Sequence, residues 1–115
     1  HGTEHHVNPV YAALDYMFKD LGYENVHVGT VEAYPSFASV LRLVKASDVK
    51  KVRLAPFMVV AGDHAMNDMA GGEEDSWKSL LEAEGYEVTC VLKGLGEYTG
   101  IQKLYAEHAK NAKPL

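Results

Sequence analysis

The stretch KVRLAPFMVVAGDHAMNDMAGGEEDS, residues 51–76, decides the fold. Its first eleven residues, 51–61, are almost continuously apolar. That is the pattern of a strand covered on both faces, as in parallel sheets. Pro56 interrupts the run and lacks an N–H, so an edge position or a bulge is expected beside it. The run ends in Gly62-Asp63-His64-Ala65, and a polar, glycine-bearing stretch of loop character follows to Ser76. Loops at strand ends are common places for function.

Outward from this stretch, helical and strand patterns alternate. Residues 8–21 predict a helix, with Asn8 as N-cap, Pro9 at the first helical position and Gly22 as the stop. VHVGTV (26–31) predicts a short strand that ends just before Glu32. Phe37, Val40, Leu41 and Val44 recur at helical spacing, so 37–46 is an amphipathic helix with Ser36 as a cap candidate. SWKSLLEAE (76–84) predicts a helix closed by Gly85, with Trp77 and Leu80 as core candidates. YEVTCVL (86–92) predicts a strand, KGLGE (93–97) a loop, and 98–111 a last helix.

Alternating β and α units give a parallel sheet with crossovers packed on it. The expected class is therefore α/β, a three-layer parallel sheet with helices on both faces, flavodoxin-like in outline. The chain opens without Met, on a histidine of the motif HGTEHH. It reads as a fragment beginning where a strand has just ended, with any targeting signal upstream. A cytoplasmic location is the expectation, and a periplasmic one stays open because the upstream sequence is absent.

At 115 residues the chain is one domain by size. No apolar run reaches the roughly 20 residues a membrane span needs, so no membrane association is expected. A net charge of −5 argues against a nucleic-acid surface. The single cysteine, Cys90, lies in an apolar run and reads as a buried core thiol.

Three polar clusters follow strands: HGTEHH at 1–6, Glu32, and GDHA at 62–65. Parallel strands bring their C-terminal ends to one edge, where open α/β sheets bind ligands. Imidazole and carboxylate together suit late first-row divalent ions. Histidine also accepts a proton near neutral pH. His1, Glu32 and His64 are thus candidates both for metal binding and for catalysis. Gly2 and Gly62 would let a flat ligand approach the backbone closely. Each residue taken alone has a plainer reading. Glu32 fits a solvated loop acid, and His5 and His6 fit polar residues before a helix. Asp63 and Asp68 fit turn formers or caps as well as ligands. His27 and His108 read as structural, the methionines as packing residues, and Lys50, Lys51 and Arg53 as solvated.

The motifs HGTEHH, VGTVEAYP, LAPFMVVAGDHAMNDMAG, EDSWK and KGLGE, in this order, resemble those of CbiK-type anaerobic cobalt chelatases over nearly the whole chain. The resemblance implies a fold of two similar α/β halves around a tetrapyrrole cleft, of which residues 1–115 are the C-terminal half. It implies that His1, Glu32 and His64 bind the metal and act in its insertion. The metal is then a substrate, Co²⁺ first, with Fe²⁺, Ni²⁺ or Zn²⁺ accepted by the same ligands. The other partners implied are sirohydrochlorin or a related tetrapyrrole and the N-terminal half of the same protein. That half could supply the basic groups an acidic substrate needs. A homo-oligomer is left open, as is the choice between cobalamin and sirohaem synthesis. The competing readings are a non-catalytic metal or haem carrier on the same fold and a generic flavodoxin-like domain. Gly-rich phosphate fingerprints are absent, which weighs against a nucleotide-binding version.

Overall fold

A computed structural model describes residues 1–2 and 9–111, with the backbone alone at 64 and 65. The described residues form a mixed α/β structure of five α-helices and a two-stranded parallel sheet. They fall into two compact units, His1–Lys50 and Lys51–Leu115.

In the first unit, helix α1 spans Pro9–Asp20. Proline at the first turn sacrifices an N–H that has no helical partner anyway. The helix ends in Gly22, whose φ of 93° is the left-handed conformation that glycine adopts without strain. The Asn8 cap lies outside the described residues. Phe18 meets Tyr23 edge-on at 6.5 Å between ring centroids, which closes the exit of the helix.

Residues 26–31 do not form the expected strand. The reason lies in who takes their backbone groups. Asp15 Oδ1 accepts the Val28 N–H at 2.7 Å. Lys19 Nζ donates to the Val26 carbonyl at 3.0 Å. Asp15 and Lys19 are themselves paired at 2.8 Å, one helical turn apart. Side chains of α1 thus satisfy polar groups that a ladder would otherwise need.

Helix α2, Phe37–Ala46, has the bounds expected from its periodicity. Ser36 caps it by accepting the Ser39 N–H at 3.3 Å. Val44 is buried. At the exit, Ser47 Oγ donates to the Val44 carbonyl at 2.8 Å.

In the second unit, β1 (Lys51–Leu54) pairs in parallel with β2 (Glu87–Cys90). The register sets Val52 opposite Val88 and Leu54 opposite Cys90. Lys51, Arg53, Glu87 and Thr89 alternate with them and are exposed. The expected strand 51–61 therefore stops short, before Pro56. The next carbonyls are claimed elsewhere: Leu95 donates to Met58 O at 2.6 Å and Gly96 to Val59 O at 2.9 Å. These donors come from the expected loop 93–97, which contains a 3-10 turn, Leu95–Glu97.

The stretch expected as a loop contains helix α3, Asp63–Ala70. Half of its residues are Ala or Met, Met69 is buried, and Asp63 places a negative charge in the first turn where the helix dipole favours it. Helix α4, Trp77–Ala83, packs on β2 and on α3. Among the described residues, the core of this unit is Leu54, Met69 and Leu81. Trp77 and Leu80, the core candidates, are half-buried, and the fully covered residue of α4 is Leu81, at 2% exposure. Ser76 is buried as well. It caps α4 by accepting the Ser79 N–H at 3.2 Å and donates to the Gly71 carbonyl at 2.8 Å. Helix α5, Thr99–Asn111, ends the described chain.

Cys90 is half-buried rather than deep in the core, because a two-stranded sheet gives it one paired neighbour strand. Burial still pushes its thiol up from the ordinary value; Lys78 opposes this and Glu82 reinforces it. No helix among the described residues is long and apolar enough to cross a membrane.

Candidate functional site

The first unit builds one part of the expected site around the turn 30–35. Its base is Thr30, 2% exposed. The Thr30 N–H donates to the Pro35 carbonyl at 2.7 Å, and Thr30 Oγ1 donates to the same carbonyl at 3.2 Å. Oγ1 also accepts the Ala33 N–H at 2.9 Å. A single hydroxyl thereby uses both its donor and an acceptor inside the turn.

From the other side the turn is held by His1. The His1 carbonyl accepts the N–H of Val31 at 2.9 Å and the N–H of Glu32 at 3.0 Å. With backbones joined in this way, the side chains meet: His1 Nδ1 lies 3.4 Å from Glu32 Oε2. The Glu32 side chain is 66% exposed and the His1 side chain 33%. An imidazole nitrogen and a carboxylate oxygen thus face each other near the surface, and both are donor types that could serve a late first-row divalent ion.

Gly2 makes the approach feasible. Its φ is +101°, and a Cβ there would stand 2.9 Å from the Cβ of Ala33 and 3.0 Å from that of Thr30. Conformation and space both require glycine. Its role in the chain is therefore internal: it lets the backbone at His1 lie against the turn. Gly62 differs. It precedes α3 in extended conformation, φ −75°, and a Cβ there would meet nothing within 4 Å. Neither its backbone conformation nor packing among the described residues requires glycine at 62.

His64 is the second residue of α3, which places it at a helix N-terminus in the second unit. Its side chain lies outside the described residues, as do His5 and His6. Among the described residues no three of His, Cys, Asp and Glu cluster as a metal site. Asp63 is the first helical residue and Gly62 is the N-cap, so Asp63 is not itself the cap.

Of the other described histidines, His27 is held against helix α1. His27 Nδ1 lies 3.4 Å from Lys19 Nζ. A lysine ammonium can only donate, so Nδ1 accepts and the ring proton sits on Nε2. Burial first, then Lys19, holds His27 below its ordinary value, against a smaller opposite pull from Asp15. His108 is exposed in the last turn of α5, where a cation complements the helix dipole.

Thr30 is the residue that pattern reading missed. Inside VHVGTV it has the look of a strand residue. The signal that could have found it is its spacing from Ala33, the i to i+3 step at which threonine hydroxyls close local turns.

Comparison with known proteins bears on the same motifs. The family described as cobalt chelatase (CbiK) matches residues 1–113. The sirohydrochlorin cobaltochelatase of Salmonella typhimurium is 40% identical over 112 residues, which cover 97% of this chain and 42% of that protein. The sirohydrochlorin cobaltochelatase CbiKC of Nitratidesulfovibrio vulgaris is 37% identical over 108 residues, covering 94% of this chain and 38% of its own length. The chain thus spans about two fifths of these curated relatives. With its motifs, its turn at Glu32 and a match that runs almost from end to end, the chain belongs to the cobalt chelatase (CbiK) family.

Proposed function

We propose that the chain is the metal-handling, C-terminal half of a sirohydrochlorin cobaltochelatase, which inserts Co²⁺ into the tetrapyrrole. The observation that carries this reading is the 3.4 Å approach of His1 Nδ1 to Glu32 Oε2, on a turn locked by backbone hydrogen bonds. It occurs in a chain of the cobalt chelatase family whose relatives are named for this reaction.

His64 is the third ligand in this account. His1, Glu32 and His64 hold the incoming ion, and positions left open take the macrocycle nitrogens. Entry of a dication releases two pyrrole protons, so the product carries no added charge. His1 or His64 receives one of these protons as it gives up the metal, and the other passes to solvent water. Gly62 borders the macrocycle, and the open space at its Cα supports that placement. Gly2 borders it too, although its own conformation already requires glycine. Fe²⁺, Ni²⁺ and Zn²⁺ fit the same donor types, and supply selects among them.

The complete assembly in this account is a three-layer α/β half, with helices on both faces of a parallel sheet, set against an N-terminal half of the same protein. That half closes the cleft and brings basic groups to the substrate carboxylates, which the net charge of −5 here does not favour.

The test is cobalt insertion into sirohydrochlorin by the full-length protein carrying His64→Ala. Loss of insertion with an unchanged circular dichroism spectrum is expected. Wild-type turnover would overturn the assignment. Tight binding of both substrates without product, in the wild type, would favour a carrier instead.

A further inference from the structure

We propose that Thr30 is a positioning residue for metal capture, setting the His1–Glu32 pair from beneath; this rests on the metallation reading above. Glu32 projects from the turn with its carboxylate largely in solvent. Its placement is therefore inherited from its backbone. That backbone is held at two points. The His1 carbonyl takes the N–H groups of Val31 and Glu32. Thr30 Oγ1 takes the N–H of Ala33, the next residue, and donates to Pro35 O.

The hydroxyl is buried, so water does not readily replace it. Without it the Ala33 N–H loses its acceptor, and the Glu32 peptide is released on its C-terminal side. Gly2 amplifies the effect. A Cβ at position 2 would come within 3.0 Å of the Thr30 Cβ and 2.9 Å of the Ala33 Cβ. The same two residues therefore form the seat on which the His1 backbone rests. One side chain thus sets both members of the pair, the imidazole through packing under Gly2 and the carboxylate through the turn. Outer partners that orient metal ligands are typically worth roughly 10- to 100-fold in metal affinity.

The experiment compares Thr30→Val, Thr30→Ala and Thr30→Ser in the full-length protein. Binding of Co²⁺ alone is followed by its visible ligand-field absorption, and KM is measured separately for Co²⁺ and for sirohydrochlorin. Folding is checked by circular dichroism. Folded Val and Ala variants should bind Co²⁺ roughly 10- to 100-fold more weakly, with an altered absorption band and a raised KM for the metal. Their KM for sirohydrochlorin should not change. The Ser variant, which keeps the hydroxyl, should stay close to wild type. Wild-type affinity and spectrum in a folded Val or Ala variant would overturn the proposal. So would a Ser variant as weak as Val, which would assign the effect to the methyl group. If Val and Ala both fail to fold while Ser folds, the hydroxyl serves the fold and the positioning role is refuted. His64→Ala, assayed alongside, separates the two claims: if it too binds and inserts cobalt as wild type, the metallation reading itself has failed.

Discussion

His1 Nδ1 stands 3.4 Å from Glu32 Oε2, and the His1 carbonyl holds the Glu32 N–H at 3.0 Å. Two residues thirty-one positions apart in sequence are thus joined through both backbone and side chain. An exposed pair of this kind contributes only about 0–1 kcal/mol to stability. Glu32→Gln keeps the shape and removes the charge. It is expected to leave the thermal midpoint within a degree or two while weakening Co²⁺ binding by at least the roughly 10- to 100-fold that mere partners of metal ligands contribute. Calorimetric unfolding and a Co²⁺ titration on the full-length protein check both halves of this. A large fall in the midpoint with unchanged metal affinity would make the pair structural.

Gly2→Ala tests the seat under His1. The backbone at Gly2 is left-handed, φ +101°, and the added carbon would sit 2.9 Å from the Ala33 Cβ. The conformation alone costs an L-residue roughly 1–2 kcal/mol. The steric overlap must then be relieved by moving the turn or the His1 backbone. Lower thermal stability and weaker Co²⁺ binding should appear together, although alanine adds no charge and removes no ligand. Unchanged values of both would contradict the observed fit.

The His27 surroundings give a pH dependence with a definite sign. Burial and Lys19 hold the folded-state value below the ordinary 6.5. The unfolded chain therefore binds the proton first as pH falls. The stability due to neutral His27 is present above about 6.5 and is lost as pH drops through the folded-state value. His27→Gln should flatten this part of the stability-versus-pH curve on the acid side and leave the neutral end in place. Chemical denaturation of both proteins between pH 4.5 and 7.5 is the measurement; parallel curves would count against it.

Leu81 and Ser76 anchor α4, with exposures of 2% and 1%. Leu81→Ala should cost roughly 2–5 kcal/mol through lost burial and the cavity left behind. Ser76→Ala should cost about 0.5–2 kcal/mol for the cap, with the Gly71 carbonyl losing its donor as well. Urea unfolding of the full-length protein ranks the two; an alanine at 81 as harmless as one at an exposed site would overturn the assignment of the core.

Much of this was legible in sequence, for local reasons. Pro9, Gly22 and Ser36 punctuate helices through backbone geometry that each residue imposes by itself, and 37–46 carries a clear 3.6 period. What was not legible depended on distant partners. VHVGTV alternates as a strand does, but Asp15 and Lys19 of a preceding helix claim its polar groups. Helix α3 was hidden because Asn67, Asp68 and Gly71 read as loop residues, while the burial that fixes it rests largely on Met69. Glu32 could be singled out from its motif. Thr30 could not, since its importance lies in a buried hydroxyl that only the folded turn defines.

The central claim is that His1, Glu32 and His64 hold one ion together. It is tested most directly by optical titration of the full-length protein with Co²⁺, comparing wild type with His1→Ala, Glu32→Gln and His64→Ala. The wild type should show one strong site, with affinity and absorption band changed by each of the three substitutions. A Co²⁺ spectrum and affinity that survive His64→Ala unchanged, while the other two variants lose them, would contradict it.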